Sequence, residues 1–384
     1  MSSVVRPVKI LLLADSHLGF DHPVRPRVRR RRRGEDFLAN HRTALRTALD
    51  EKVDLVVHGG DVFHCPGIPA SLVHQAFAPL KDVADAGIPV FVVPGNHERS
   101  RIPFDWIARH PLVHVFKEPG TVRLDVKGIG VAVSGIPCIR RDARTRFPGI
   151  LEETGWREVE ASVRLLVVHQ ALEGATVGPS DFTFRHGHDT IRLRDLPADF
   201  SAVLAGHIHR HQVLETDLAG RPAPVPVFYP GSVERTAFAE MDEEKGFVVM
   251  EVSPSGAVGG WSFRSLYARP MRRLTLRLAG LAGEEVVGRL AALLSAEPAD
   301  AVLRVEVEGT VSAEARRALS AESLRRVAPA TMNVDLVIPG ERSWRGRRKR
   351  VPRPTGPPRL QLELGAPAAM DRPGPGTPHS TPES

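Results

Sequence analysis

The stretch Leu55-Val56-Val57-His58-Gly59-Gly60-Asp61-Val62-Phe63-His64 decides the fold. Leu55 to Val57 are apolar and mostly β-branched, as in a strand buried on both faces of a parallel sheet. Gly59 and Gly60 follow, where the backbone has to turn sharply with no side chain in the way. Asp61 then stands at the carboxyl end of the strand, the edge at which open α/β sheets hold their ligands. A buried structural Asp in a turn would fit this stretch equally well. The rest of the chain decides between the two, because the arrangement recurs.

Lys9 to Ala14 reads as a buried strand that delivers Asp15-Ser16-His17. Residues two apart on an extended segment point the same way, so an Asp oxygen and a His nitrogen can reach one ion. The strand Ile88 to Val93 ends in Pro94-Gly95-Asn96-His97-Glu98. Arg164 to Val168 ends in His169-Gln170, and Ala202 to Ala205 in Gly206-His207-Ile208-His209. Five apolar strands thus hand Asp, Asn or His to one rim, a repetition that core histidines would not reproduce. The candidate metal ligands are Asp15, His17, Asp61, Asn96, His169, His207 and His209. Such a mixture of carboxylate, amide oxygen and imidazole suits Mn, Fe or Zn better than Ca or Mg. No thiolate is among them, which argues against a structural cysteine–zinc site. Seven donors exceed the needs of one ion, so two divalent metal ions sharing Asp61 is the economical reading. Two such ions can hold a hydroxide and clamp a phosphate for in-line attack. His97, an imidazole next to Asn96, is suited to proton transfer near neutral pH.

The remaining chain supports an α+β domain with appendages. Phe37 to Asp50 and Ser71 to Ala86 read as helices, the second with Ser71 as N-cap and Gly87 as its stop. Thr121 to Val126 and Ile129 to Ile136 read as paired strands. Val227 to Ser232 and Gly246 to Val252 read as closing strands, with Glu234 and Arg235 between them as a pair. His186, His188 and His211 read as loop residues. After Arg264 a small α/β unit begins: strand Leu274–Leu278, helix Glu284–Leu294, strand Ala301–Val307, helix Ser312–Leu319 and strand Met332–Ile338. From Glu341 the chain is rich in Arg, Pro and Gly without apolar periodicity, which reads as disorder. The expected division is 1–264, 265–340 and 341–384.

Charge placement is informative. The net charge is +7, yet Arg25, Arg27 and Arg29 to Arg33 fall in one segment and the region after Glu341 is also strongly basic. The body without these two parts is slightly acidic. Basic clusters of this kind contact phosphate backbones, or simply lie solvated on loops and tails. Arg29, Arg30, Arg31, Arg32 and Arg33 are the candidate DNA contacts, and Arg140, Arg141, Arg144 and Arg146 form another expected basic loop. Cys65 and Cys138 are the only cysteines and have no metal or redox spacing, which favours a reducing compartment. No apolar run is long enough to cross a bilayer, so a cytoplasmic protein is expected.

D-x-H, G-D, G-N-H, H and G-H-x-H, in this order at strand ends, resemble the calcineurin-like metallophosphoesterase superfamily. Gly60-Asp61-Val62-Phe63-His64, the run Gly206 to Arg210, and Tyr229-Pro230-Gly231-Ser232-Val233-Glu234-Arg235 with Glu240 and Lys245-Gly246-Phe247 resemble its Mre11/SbcD DNA-repair nuclease branch. The resemblance covers about residues 8 to 252. It implies a four-layer αββα sandwich with a small C-terminal capping domain, and Mn as the metal. One ion would be held by Asp15, His17, Asp61 and His209, the other by Asp61, Asn96, His169 and His207. His97 matches the catalytic histidine and His64 a histidine that positions the DNA phosphate. It also implies DNA as substrate and a homodimer. Glu98 stands where the family usually has an Asp that orients the catalytic histidine, one methylene longer. Family nucleases carry helices after the capping domain that bind a Rad50/SbcC-like ATPase; here no amphipathic stretch of that kind follows. Three readings stay open: a DNA exo- or endonuclease, a hydrolase of small phosphoesters, and a scaffold without catalysis.

Overall fold

The computed structural model describes residues 6–22, 32–98, 102–278, 280, 281 and 283–339. Arg29 to Arg31 and the segment from Glu341 onward lie outside the described residues. In chain order the elements are β1 (Val8–Leu13), α1 (Arg33–Asp50), β2 (Leu55–His58), α2 (Ala70–Asp85), β3 (Val90–Val92), α3 (Phe104–Ile107), β4 (Val113–Val115), β5 (Gly120–Val126), β6 (Ile129–Ile136), α4 (Ala143–Glu153) and β7 (Val163–His169). Four short strands follow: β8 (Ala171–Leu172), β9 (Thr176–Val177), β10 (Phe182–Thr183) and β11 (Thr190–Ile191). Then come β12 (Ala202–Gly206), β13 (Gln212–Thr216), β14 (Pro222–Tyr229), β15 (Gly246–Val252), β16 (Val258–Ser265), β17 (Met271–Arg277), α5 (Glu284–Ser295), β18 (Val302–Glu308), α6 (Ala313–Ala318), α7 (Ala321–Val327) and β19 (Asn333–Val337).

Two six-stranded mixed sheets carry the site. Their strand orders are β16-β15-β1-β2-β3-β4 and β13-β14-β12-β7-β6-β5. Within them β1 to β4 run parallel, as do β6, β7, β12 and β14. Strand alternation partitions the core. Val8, Ile10 and Leu12 of β1 pack with Leu165 and Val167 of β7 between the sheets. Leu11 and Leu13 face the other way, onto Phe37, Leu45 and Phe77 of α1 and α2. In the second sheet Leu166 and Val168 face Phe147, Ile150 and Leu151 of α4. Each side chain buried this fully contributes about 1.5–3 kcal/mol, so the rim loops are mounted on strands packed on both faces.

The third sheet, β17-β18-β19, is parallel and has its own core with α5, α6 and α7. It is fastened to α1 by buried charge. Arg269 is fully buried and bonds to Asp36 Oδ2 at 2.9 Å, while Arg33 lies 3.4 Å from both Asp36 and Glu234. None of the described helices is long and apolar enough to cross a membrane.

Several sequence expectations are corrected. Arg144 and Arg146 belong to α4 rather than a loop; the interior Pro148 and the arginines hide the spacing of Phe147, Ile150 and Leu151. α1 starts at Arg33, and its first turn includes buried Arg33, Asp36 and Phe37. Ser71 lies within α2, which begins after Pro69 without a side-chain cap. Glu234 and Arg235 do not pair through their side chains. Arg235 donates to the Glu243 and Arg269 carbonyls, and Glu234 faces Arg33. The edge strand β16, with two glycines in its interior, and helix α7, capped by the Ser320 hydroxyl, had no periodic signal to announce them.

Candidate metal centre

The loops after β1, β2, β3, β7 and β12 meet at one rim, and the seven expected ligands come together there. Three come from the first sheet's β1 and β2 loops: Asp15 and His17 follow β1 and Asp61 follows β2. The two loops are strapped by backbone bonds, Asp15 N–H to Gly60 O and His17 N–H to Asp61 O, both 2.9 Å. Asp15, His17, Asp61 and His207 have φ of 51°, 42°, 52° and 85°. Non-glycine residues avoid this left-handed region, and its concentration at a site marks conformations imposed by the surroundings. Gly60, with φ +101°, leaves no room for a Cβ against the His169 ring. A Cβ on Gly95 would likewise overlap the Asp61 carboxylate.

The donors form two groups that share Asp61. In the first, His17 Nε2 is 2.9 Å from His209 Nε2, 3.8 Å from Asp15 Oδ1 and 3.9 Å from Asp61 Oδ2. His209 Nε2 is 3.9 Å from Asp15 Oδ1. In the second, Asn96 Oδ1 lies 2.9 Å from His207 Nδ1 and 3.1 Å from His169 Nε2, which is 3.3 Å from Asp61 Oδ2. Asp15, His17, Asp61 and His169 are buried.

Whether these residues fit a pair of cations is tested by their proton positions. His169 Nδ1 donates to the Gly59 carbonyl at 2.7 Å, so neutral His169 turns a bare Nε2 toward the oxygens of Asp61 and Asn96. His209 Nδ1 donates to Glu240 Oε1 at 3.2 Å, which leaves its Nε2 bare toward His17 and Asp15. Around His169 acceptors thus face acceptors, and positive charge is what reconciles them. In the protein alone a proton does so. Burial disfavours charged His169, but the Asp61 carboxylate outweighs it and raises the imidazole to about 9. Burial pushes the Asp15 carboxyl up to about 6 against the pull of His169 and His209. Burial also acts to raise Asp61, yet the charge and hydrogen bond of His169 hold it well below the usual carboxylate range. Burial lowers His17 well below its ordinary value and, together with the charge of His169, lowers His207 to about 3. The donor set fits two divalent ions bridged by Asp61.

His97 occupies the open side, one-third exposed. Its backbone N–H donates to Asp61 Oδ1 at 2.9 Å and its ring Nδ1 to the His64 carbonyl. Nε2 is therefore free, 4.0 Å from Asp61 Oδ2. The His64 ring lies edge-on to His17 and tilted against His97, with centroids 5.5 and 5.2 Å away.

Two expectations change. Glu98 does not hold the His97 ring; its buried carboxyl accepts from the Gly95 and Phe63 N–H groups at 2.8 and 3.2 Å. Burial, then the Asp61 charge, push it up to about 8. Arg33 is buried among Asp36, Glu234 and the Arg235 carbonyl, so it cannot meet DNA, whereas Arg32 stays exposed beside Asp21. Glu240 and Lys245, named in the sequence only as part of the resemblance and without a role, turn out to act on His209. Buried Lys245 bonds to Glu240 at 2.8 Å and to the His209 carbonyl at 2.8 Å, and Glu240 fixes the His209 tautomer. They lie beyond the strand-end motifs, where residue type alone does not reveal that they buttress a histidine of the rim.

Comparisons with known proteins agree with this geometry. The DNA double-strand break repair protein Mre11 of Haloferax volcanii is 29% identical over 306 residues, covering 78% of this chain and 61% of its own length. The protein of that name from Methanosarcina mazei is 29% identical over 260 residues, 65% of this chain and 37% of its own. That from Aeropyrum pernix is 26% identical over 255 residues, 61% and 55%. The chain therefore spans about a third to three-fifths of the length of these curated relatives. Residues 8–211 match the family described as calcineurin-like phosphoesterase. With the rim loops converging on a shared carboxylate, and with that match over half of its length, the chain belongs to the calcineurin-like phosphoesterase family.

Proposed function

We propose that the chain is a dinuclear-metal-dependent phosphodiesterase that cleaves DNA in double-strand break repair, with Mn as its metal. The observation that carries this reading is the sharing of Asp61 between two donor groups beside the open Nε2 of His97. Asp15, His17, Asp61 and His209 would hold one ion, and Asp61, Asn96, His169 and His207 the other. When bound, the ions supply Lewis acidity toward phosphate oxygens and lower the pKa of the attacking water. The chain's own part is positional and protic. Asp61 ties the His97 backbone to the donors, and the His64 carbonyl fixes the His97 tautomer. His97 Nε2 can then hold or deliver a proton at the phosphoester oxygen. The names of the curated relatives support DNA as the substrate. Residues 265–340 would cap the duplex, and the partners implied are DNA and a second copy of the chain; a Rad50/SbcC-like ATPase would need a surface other than the family's C-terminal helices.

One observation favours a second reading, hydrolysis of small phosphoesters. Arg33, expected on DNA, is buried in an ion-pair cluster with Asp36 and Glu234. The two readings separate in one assay. Linear and hairpin DNA, a chromogenic phosphodiester and a phosphomonoester are offered with Mn added or chelated. Mn-dependent DNA cleavage abolished by His97→Ala supports the nuclease; hydrolysis of small esters alone supports the second reading; no turnover of any substrate defeats both.

A further inference from the structure

Beneath the metal-bearing loops lies a second polar cluster. Ser16, His41 and His58 are fully buried. Ser16 Oγ is 2.9 Å from His58 Nε2 and 3.0 Å from His41 Nδ1. Two outer contacts decide where the protons sit. The Gly60 N–H donates to His58 Nδ1 at 3.2 Å, so that nitrogen is bare and the proton is on Nε2. His41 Nε2 faces the Ala76 carbonyl at 3.1 Å; a carbonyl only accepts, so His41 carries its proton there and Nδ1 is bare. The Ser16 hydroxyl must therefore accept from His58 and donate to His41. The chain runs one way, from Gly60 through His58, Ser16 and His41 to Ala76, and both imidazoles must be neutral. Burial lowers His41 to about 4 and His58 well below its ordinary value, in keeping with that requirement.

We propose that Ser16, His58 and His41 are positioning residues that hold the Asp15–His17 and Gly60–Asp61 loops in their metal-binding shape by anchoring them to α1 and α2. Ser16 lies between two ligands in left-handed conformation, and Gly60 precedes a third. Such conformations persist only where the surroundings over-determine them. The backbone bonds between the loops tie the two to each other. The array ties both to the helices, through His41 on α1 and the Ala76 carbonyl on α2. Partners of this kind, one step removed from the ligands, orient donors without touching the ion.

The inference rests on the metal-centre reading, and its test keeps the two apart. Mn is titrated calorimetrically into the metal-free full chain and into Ser16→Ala, His41→Phe and His41→Asn. The Asn oxygen can still accept from Ser16, whereas Phe accepts nothing. Ser16→Ala and His41→Phe are expected to weaken Mn binding about 10- to 100-fold, with His41→Asn between them and the unaltered chain. Saturating Mn should restore most of kcat, so the loss appears in the Mn requirement. A merely structural role would lower the unfolding temperature in chelator and leave Mn affinity unchanged. If Ser16→Ala does not fold, the comparison of His41→Asn with His41→Phe carries the test. Unaltered Mn affinity in the folded variants overturns the array alone; no Mn uptake by the unaltered chain overturns the array and the metal centre together.

Discussion

His17 Nε2 and His209 Nε2 approach to 2.9 Å across 192 positions of sequence, and because Glu240 accepts from the other ring nitrogen of His209, the neutral ring turns a bare Nε2 toward His17. One lone pair is aimed into a space bounded by other donors. That contact makes metal uptake a property of the folded rim rather than of any one motif.

Removing metal should therefore be distinguishable from removing chemistry. His97→Ala is expected to lower hydrolysis about 10²- to 10⁴-fold while Mn stoichiometry and affinity stay as they are, because the backbone N–H that reaches Asp61 is retained. Parallel calorimetry and turnover measurements check this. Loss of Mn binding in His97→Ala would show that His97 is a ligand instead.

Metal binding should expel protons. Asp61 keeps His169 charged up to about pH 9 in the metal-free protein, although burial opposes it, and ligation needs the neutral ring. At pH 7.5 the apparent enthalpy of Mn binding should differ between buffers of low and high ionisation enthalpy. Affinity should rise with pH and level off above about 9. Identical enthalpies in both buffers would contradict the assignment of His169.

Acid should weaken the fold through His41. Its pKa is lowered from 6.5 to about 4 by burial, so the unfolded chain binds the proton more readily. Stability from this group is present above about 6.5 and is lost as pH falls toward 4, a difference on the order of 3 kcal/mol. Denaturant unfolding in chelator at pH 7 and pH 4.5 measures it. The gap between the two pH values should narrow in His41→Asn; an unchanged gap would mean that other groups set the acid limb.

Legibility in the sequence followed burial. β1, β2, β3, β7 and β12 were readable because each is a short apolar run ending in a ligand type, and all seven candidate ligands do meet at the rim. His58 and His41 were not, since one reads as the last residue of a strand and the other as a polar position in a helix. Their meaning depends on Ser16, which reaches both from another loop. Arg33 was misread for a similar reason. A run of arginines suggests a solvated surface, and only the positions of Asp36 and Glu234 draw its last member inside.

The Arg33–Asp36–Arg269 cluster yields a stability prediction. Arg269→Met removes the 2.9 Å ion pair of the buried Asp36 carboxylate, while Arg33 stays at 3.4 Å. Loss of one partner from a buried charge group costs about 3–5 kcal/mol, and urea unfolding of the full chain should show it. A change below about 1 kcal/mol would mean that β17–β19 do not depend on this fastening.

Gly95 bears on how sequence variants of this protein are to be interpreted. The space its missing side chain would fill belongs to the Asp61 carboxylate. An alanine there alters no donor and adds only a methyl group. It would nevertheless displace the Asp61 carboxylate, and a reader checking only that every candidate ligand is intact would score such an allele as harmless.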